Sequence, residues 1–173
     1  MPQRATPVPK NRRRLWWAGG ATALAIAAGL GTWLLWPEPP RQFEFVDATA
    51  CLLTDEAGIT GATAQPVWQA MQESSLSSHT RVQYLSVTGP KTPANARAHL
   101  TALTGSQCGV IIAVGQNQTD AVSEAAAAFP QVRFVSVGGS ASGANVEAVE
   151  AAPADSVRAT IARRLEELAD AAS

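Results

Sequence analysis

The sequence predicts an α/β domain with a mostly parallel five-stranded sheet, strand order 2-1-3-4-5, helices on both faces, and one transmembrane helix ahead of it. Three observations carry this. From residue 48 onward, strand-like runs alternate with helical periodicity in the order βαβαβαββα, which marks a parallel sheet with helical crossovers. Only two of those runs, ACLLT at 50–54 and VIIAV at 110–114, are apolar throughout, as central strands covered on both faces are. Residues 15–36 carry no charge at all.

The chain begins with a basic tail, residues 1–14. It holds Arg4, Lys10, Arg12, Arg13 and Arg14 and no acid. The remaining 8 of the 13 basic residues face all 14 acids beyond residue 36, a balance of −6. Such an asymmetry places the two parts in different surroundings. Between them, residues 15–36 read LWWAGGATALAIAAGLGTWLLW. As a helix, 22 residues reach about 33 Å, enough for a hydrocarbon core of about 30 Å. Trp16, Trp17, Trp33 and Trp36 stand at its two ends, where amphipathic rings favour the headgroup layer. The arginine run keeps the amino end in the cytoplasm, so the expectation is a single-pass cell-membrane protein with its soluble domain extracytoplasmic. A cleaved signal peptide would show a shorter apolar core and a small-x-small site just after it, whereas Trp36 is followed by Pro-Glu-Pro-Pro. Cys51 lies too far past Trp36 to be a lipid-attachment cysteine. Residues 37–47 read as a Pro-containing linker, and 48–173 as one α/β domain.

Within that domain the first strand, 50–54, ends at Thr54-Asp55. A helix follows from about Pro66, with proline in its first turn and Val67, Ala70, Met71 and Ser74 on one face. The run 82–87 (VQYLSV) is a strand with polar residues interleaved, as an edge strand would be. Thr92-Pro93 caps the next helix, with Ala96, Leu100 and Leu103 inward. The strand 110–114 comes next, then a helix at 120–129 closed by Pro130, a strand at 132–137 and a weaker one at 146–149. The last helix starts at Pro153 and repeats Val157, Ile161, Leu165 and Leu168 at helical spacing. With right-handed crossovers, order 2-1-3-4-5 places ligands beyond the carboxyl ends of the strands, where strands 1 and 3 diverge. The polar residues at those ends are Asp55, Thr88, Gln116 and Ser140. Asp55 serves equally as a ligand contact or as a capping residue.

Chemistry is sparse. His79 and His99 fall on different elements with no carboxylate at ligand spacing, which leaves no metal site. The Gly/Ser run at 138–143 lacks the G-x-S-x-G spacing and an acid–histidine pair. Phosphate-cradling glycine motifs are absent. The expectation is therefore no enzyme, no cofactor and, from the acidic surface, no nucleic-acid partner. Cys51 and Cys108 are the chain's two cysteines, on strands placed side by side, and an oxidising compartment lets such pairs form. Counted from the strand ends they are offset by about three residues, or about 10 Å. A disulfide tolerates a Cα separation of about 7 Å. A bond and two buried thiols both remain open at this point.

At ACLLTDEAGI, 50–59, followed by a helix containing Trp68, the domain resembles the basic membrane protein family. These are ABC-transporter substrate-binding proteins, many of them nucleoside-binding, with a type 1 periplasmic-binding fold. The resemblance continues through VIIAVG at 110–115, TDAVSEAAAAFP at 119–130, VRFVSVG at 132–138 and NVEAV at 145–149. It implies the N-terminal lobe of a two-lobed receptor, with Asp55 and Gly115 retained. The departures concern the ligand. After Asp55, where the family carries further acids and a Ser-Phe-Asn, residues 60–65 read TGATAQ. The aspartate that ends the family's fourth strand is replaced around Gly138. Resemblance and departures together imply a membrane-anchored binding or sensing domain with a degenerate site. It would hold a small polar metabolite or nucleoside-like ligand weakly, with a homodimer or transporter partner able to supply a missing wall. A structural or protein-interaction module without a ligand is the alternative.

Overall fold

The computed structural model describes residues 44–173. The predicted membrane helix at 15–36, with the tail and most of the linker, lies outside them. Among the described residues no helix is long and apolar enough to cross a membrane.

Five strands form one sheet: β1 (Thr49–Thr54), β2 (Arg81–Ser86), β3 (Cys108–Val114), β4 (Arg133–Val137) and β5 (Val146–Val149). Their order is β2-β1-β3-β4-β5, and all neighbouring pairs are parallel. Four helices connect and close it: α1 (Ala64–Ser78), α2 (Pro93–Gly105), α3 (Gln116–Ala125) and α4 (Ala154–Ala172). The order inferred from the two apolar runs is the one observed. β1 and β3 sit inside the sheet, and β2, with its mixed composition, lies at an edge.

Alternation along the strands sorts the core into two layers. Ala50, Leu52, Val110, Ile112 and Val135 point to the face covered by α1 and α4, against Val67, Met71, Ile161 and Leu165. Cys51, Leu53, Ile111, Ala113 and Phe134 point to the other face, against Leu100, Leu103, Ala121 and Val122 of α2 and α3. Each layer removes apolar surface from water, the main favourable contribution to folding. Between β4 and β5 no helix intervenes. Residues 138–145 make the return as a loop, with Ala141 buried and Asn145 tying three carbonyls, those of Ala126, Phe129 and Val132, at 3.0 Å each.

Cys51 and Cys108 are joined by a disulfide with a Cα separation of 5.8 Å, so the offset of about 10 Å requires correction. That offset assumes an uninterrupted β3. The β1–β3 register runs Ala50↔Val110 and Cys51↔Ile111, but shifts so that Thr49 faces Cys108. Gly109 is the extra residue of this bulge. It shortens the offset from three residues to two and turns Cys108 to the same face as Cys51. Glycine fits there because a Cβ at 109 would lie 2.5 Å from Leu168 Cδ1 of α4.

α3 begins at Gln116, four residues before the predicted start at 120, because Gly115 turns the chain directly from β3 into the helix. Its end is replaced by a 3-10 turn at Ala126–Ala128.

Candidate functional site

The carboxyl ends of β1, β2 and β3 open onto a cleft of about 400 Å³. Each wall follows from local sequence. β1 closes on Thr54, fully buried, whose carbonyl accepts from Val87 N–H at 2.9 Å. Asp55 then turns the chain: its Oδ1 accepts from Ala57 N–H at 3.0 Å, a side-chain-made turn of the kind aspartate favours. Gly58 continues it at φ 62°. Asp55 thus fixes the turn after β1 and forms part of the cleft wall, while the 3-10 turn that follows has Ala57 at its N-cap and no side-chain cap.

The second wall is the loop after β2. Thr92 Oγ1 accepts from Asn95 N–H at 3.2 Å and caps α2. The Asn95 amide donates to the carbonyls of Thr88 and Pro90 at 2.8 and 2.9 Å. These bonds fix the loop so that Pro90, Lys91 and Thr92 line the cleft.

The floor comes from Gly115 and the first turn of α3. Gly115 has φ 106°, a region that side chains rarely enter. Beside it, Gln118 is buried and its Nε2 donates to Thr54 O at 3.3 Å, binding the helix start to the end of β1. Gln116 Nε2 donates to Asp120 Oδ1 at 2.8 Å.

Of the four residues singled out from the sequence, Asp55 and Gln116 line this cleft, and Thr88 and Ser140 do not. Thr88 contributes its carbonyl to the Asn95 staple. Ser140 follows a turn in which Gly139 packs so closely on Thr119 that a Cβ would meet it at 2.5 Å. Glu56, Lys91 and Asn117 also line the cleft; Glu56 and Asn117 fall in the strand-end segments 55–58 and 115–117 that the sequence points to, and Lys91 lies just beyond the one at 88–90. The Thr92-Pro93 cap signals a loop fixed at that point, which is the cue that could have drawn attention to Lys91. His79 and His99 stay apart: His79 caps the end of α1 in a left-handed conformation, and His99 Nδ1 lies 3.0 Å from Asn95 O.

No family model matches the chain, and no curated protein matches it in sequence. Solved structures do match in fold. A fragment from Peptoclostridium difficile 630, described as a lipoprotein, superposes with a TM-score of 0.58 at 14% identity, covering 69% of this chain and 99% of that one. The two share a fold. An ABC-transporter solute-binding protein from Conexibacter woesei DSM 14684 gives a TM-score of 0.47 at 18% identity. A transcriptional activator of the comK gene from Bacillus halodurans gives 0.49 at 16%. This chain spans about a third of those two, 35% and 33%.

Proposed function

We propose that this protein is a membrane-anchored, extracytoplasmic binding or sensing protein whose α/β domain takes a small polar metabolite beyond the carboxyl ends of β1 and β3. One observation carries the reading. The crevice at this switch point is open, about 400 Å³, and lined by both polar side chains and apolar ones, whereas a disused site would be filled. Parallel sheets of this order bind ligands at that place, and small-molecule pockets run from about 300 to 1,000 Å³. The resemblance to the basic membrane protein family supplies the class, a solute-binding lobe. The loss of that family's acids and Ser-Phe-Asn at 60–65 argues against its nucleoside specificity. The anchor is residues 15–36, and a second copy or a transporter subunit is the partner that would close the open side.

The test is thermal unfolding of the full-length protein in detergent across a panel of polar metabolites. A ligand that binds only the folded state raises stability by mass action, about 2.7 kcal/mol at a hundred times its Kd. A stabilising ligand whose effect is reduced in Lys91→Ala supports the reading. A panel that leaves the melting temperature unchanged overturns it in favour of an interaction module without a ligand.

A further inference from the structure

Most arginines of this domain are paired within it. Arg81, Arg97, Arg158, Arg163 and Arg164 each meet a carboxylate. Other exposed charges, Glu150, Glu166 and Asp170 among them, also stand outside ion pairs among the described residues, but the cleft brings such groups of both signs together. Asp55, Glu56 and Lys91 line one cavity, yet among the described residues none of the three enters an ion pair. The two signs come from different walls: the acids from the turn after β1, the lysine from the loop stapled by Asn95. Val87, which is buried, and Pro90 add apolar surface to the same cavity.

We infer that the ligand is zwitterionic, an α-amino acid or a compound with the same arrangement of charges. Its ammonium is received by Asp55 and Glu56, its carboxylate by Lys91, and its side chain by Val87 and Pro90. The first turn of α3 adds the positive end of a backbone dipole to the cavity. Opposite charges held apart across a cleft match a ligand whose own charges are fixed apart, and each contact is a charge-assisted hydrogen bond, stronger than a neutral one. An uncharged nucleoside would leave all three groups unpaired. This inference rests on the cleft being the ligand site, and the experiment separates the two claims.

Calorimetry on the full-length protein in detergent uses three sets of probes. These are the twenty proteinogenic L-amino acids, the N-acetyl and C-amide forms of any that bind, and adenosine, guanosine, inosine and uridine. The expected result is binding of at least one amino acid, weakened about tenfold or more by either modification, since hydrogen bonds to charged groups carry that much. Lys91→Met should reproduce the loss seen with the amide. Asp55→Asn should reproduce the loss seen with the N-acetyl form, while its side-chain oxygen preserves the turn to Ala57. Nucleoside binding without amino-acid binding overturns the zwitterion and leaves the site standing. So does equal binding of modified and unmodified amino acids. Heat from none of the probes overturns the zwitterion, and a flat thermal panel as well overturns the site.

Discussion

Gly115 combines two requirements that no other residue meets. Its φ of 106° lies where side chains rarely go, and a Cβ there would stand 2.6 Å from Gln118 Oε1. Gln118 could move, but its amide is what holds α3 to Thr54 O. Gly115→Ala should therefore cost about 2 kcal/mol, the scale of a strained backbone position, in chemical denaturation of the full-length protein. A loss below about 0.5 kcal/mol, the range of ordinary surface changes, would mean that the turn relaxes freely. Asp55 illustrates a different limit at this scale. Its type and place at a strand end make capping and ligand contact equally sensible, and the structure shows, in place of a helix cap, a side-chain-made turn to Ala57 and a place in the cleft wall. Lys91 was invisible as a site residue because Asn95, in the first turn of α2, determines where the loop goes.

Among the elements, β5 is the least secure: four residues at the sheet edge, paired only to β4. Its attachment to α4 runs through Glu147, which accepts from Arg163 Nη2 at 2.6 Å and Arg164 Nε at 2.7 Å. Both arginines also meet Glu167. Burial alone would raise the Glu147 carboxyl, but hydrogen bonds from Arg163 and Arg164 outweigh it and hold the group below its ordinary value of 4.5. Glu167 is lowered against the same opposition. A depressed carboxyl stabilises the fold above the unfolded-state value and loses that contribution as pH falls through the folded one. Glu147→Gln should cost about 1 kcal/mol at neutral pH, the upper range for partly exposed pairs. The difference from the parent should hold down to about pH 5 and shrink in stronger acid. A difference independent of pH would show that Glu147 acts by packing alone. Elements of this kind were legible in the sequence where hydrophobic pattern decides them. The two apolar runs located β1 and β3, and Val157, Ile161 and Leu165 located α4. Boundaries set by a single glycine were not. Gln116, Asn117 and Gln118 look like loop until Gly115 is known to turn straight into a helix. Gly109 reads as strand filler unless a strand glycine is taken as the mark of a bulge or a close approach, and here it is both.

For the whole molecule, the disulfide joins chain topology to cellular placement. Cys51 and Cys108 are buried at 0% and 2% exposure, link the neighbouring interior strands β1 and β3 and enclose a separation of 57 residues. In the chain-entropy account, a cross-link over that span stabilises by about 4 kcal/mol, chiefly by restricting the unfolded chain. The burial that protects the bond also makes the sulfurs good neighbours for Leu53 and Ile111 in the same layer, and free cysteines serve such positions as small apolar groups. Replacing both by alanine should therefore keep the fold, as read by far-ultraviolet circular dichroism, and lower stability by about 2–4 kcal/mol. Disulfides form and persist outside the reducing cytosol, so the state of the pair in protein taken from cells reports where the domain stands. If residues 15–36 are an uncleaved anchor with the arginine-rich end inside, as proposed, the membrane-extracted protein should contain no alkylatable thiol before reduction and two afterwards. Its intact mass should include the basic tail. Two free thiols without reductant, or a mature chain that begins beyond residue 36, would refute the anchored, extracytoplasmic arrangement even if the cleft proves to bind its ligand.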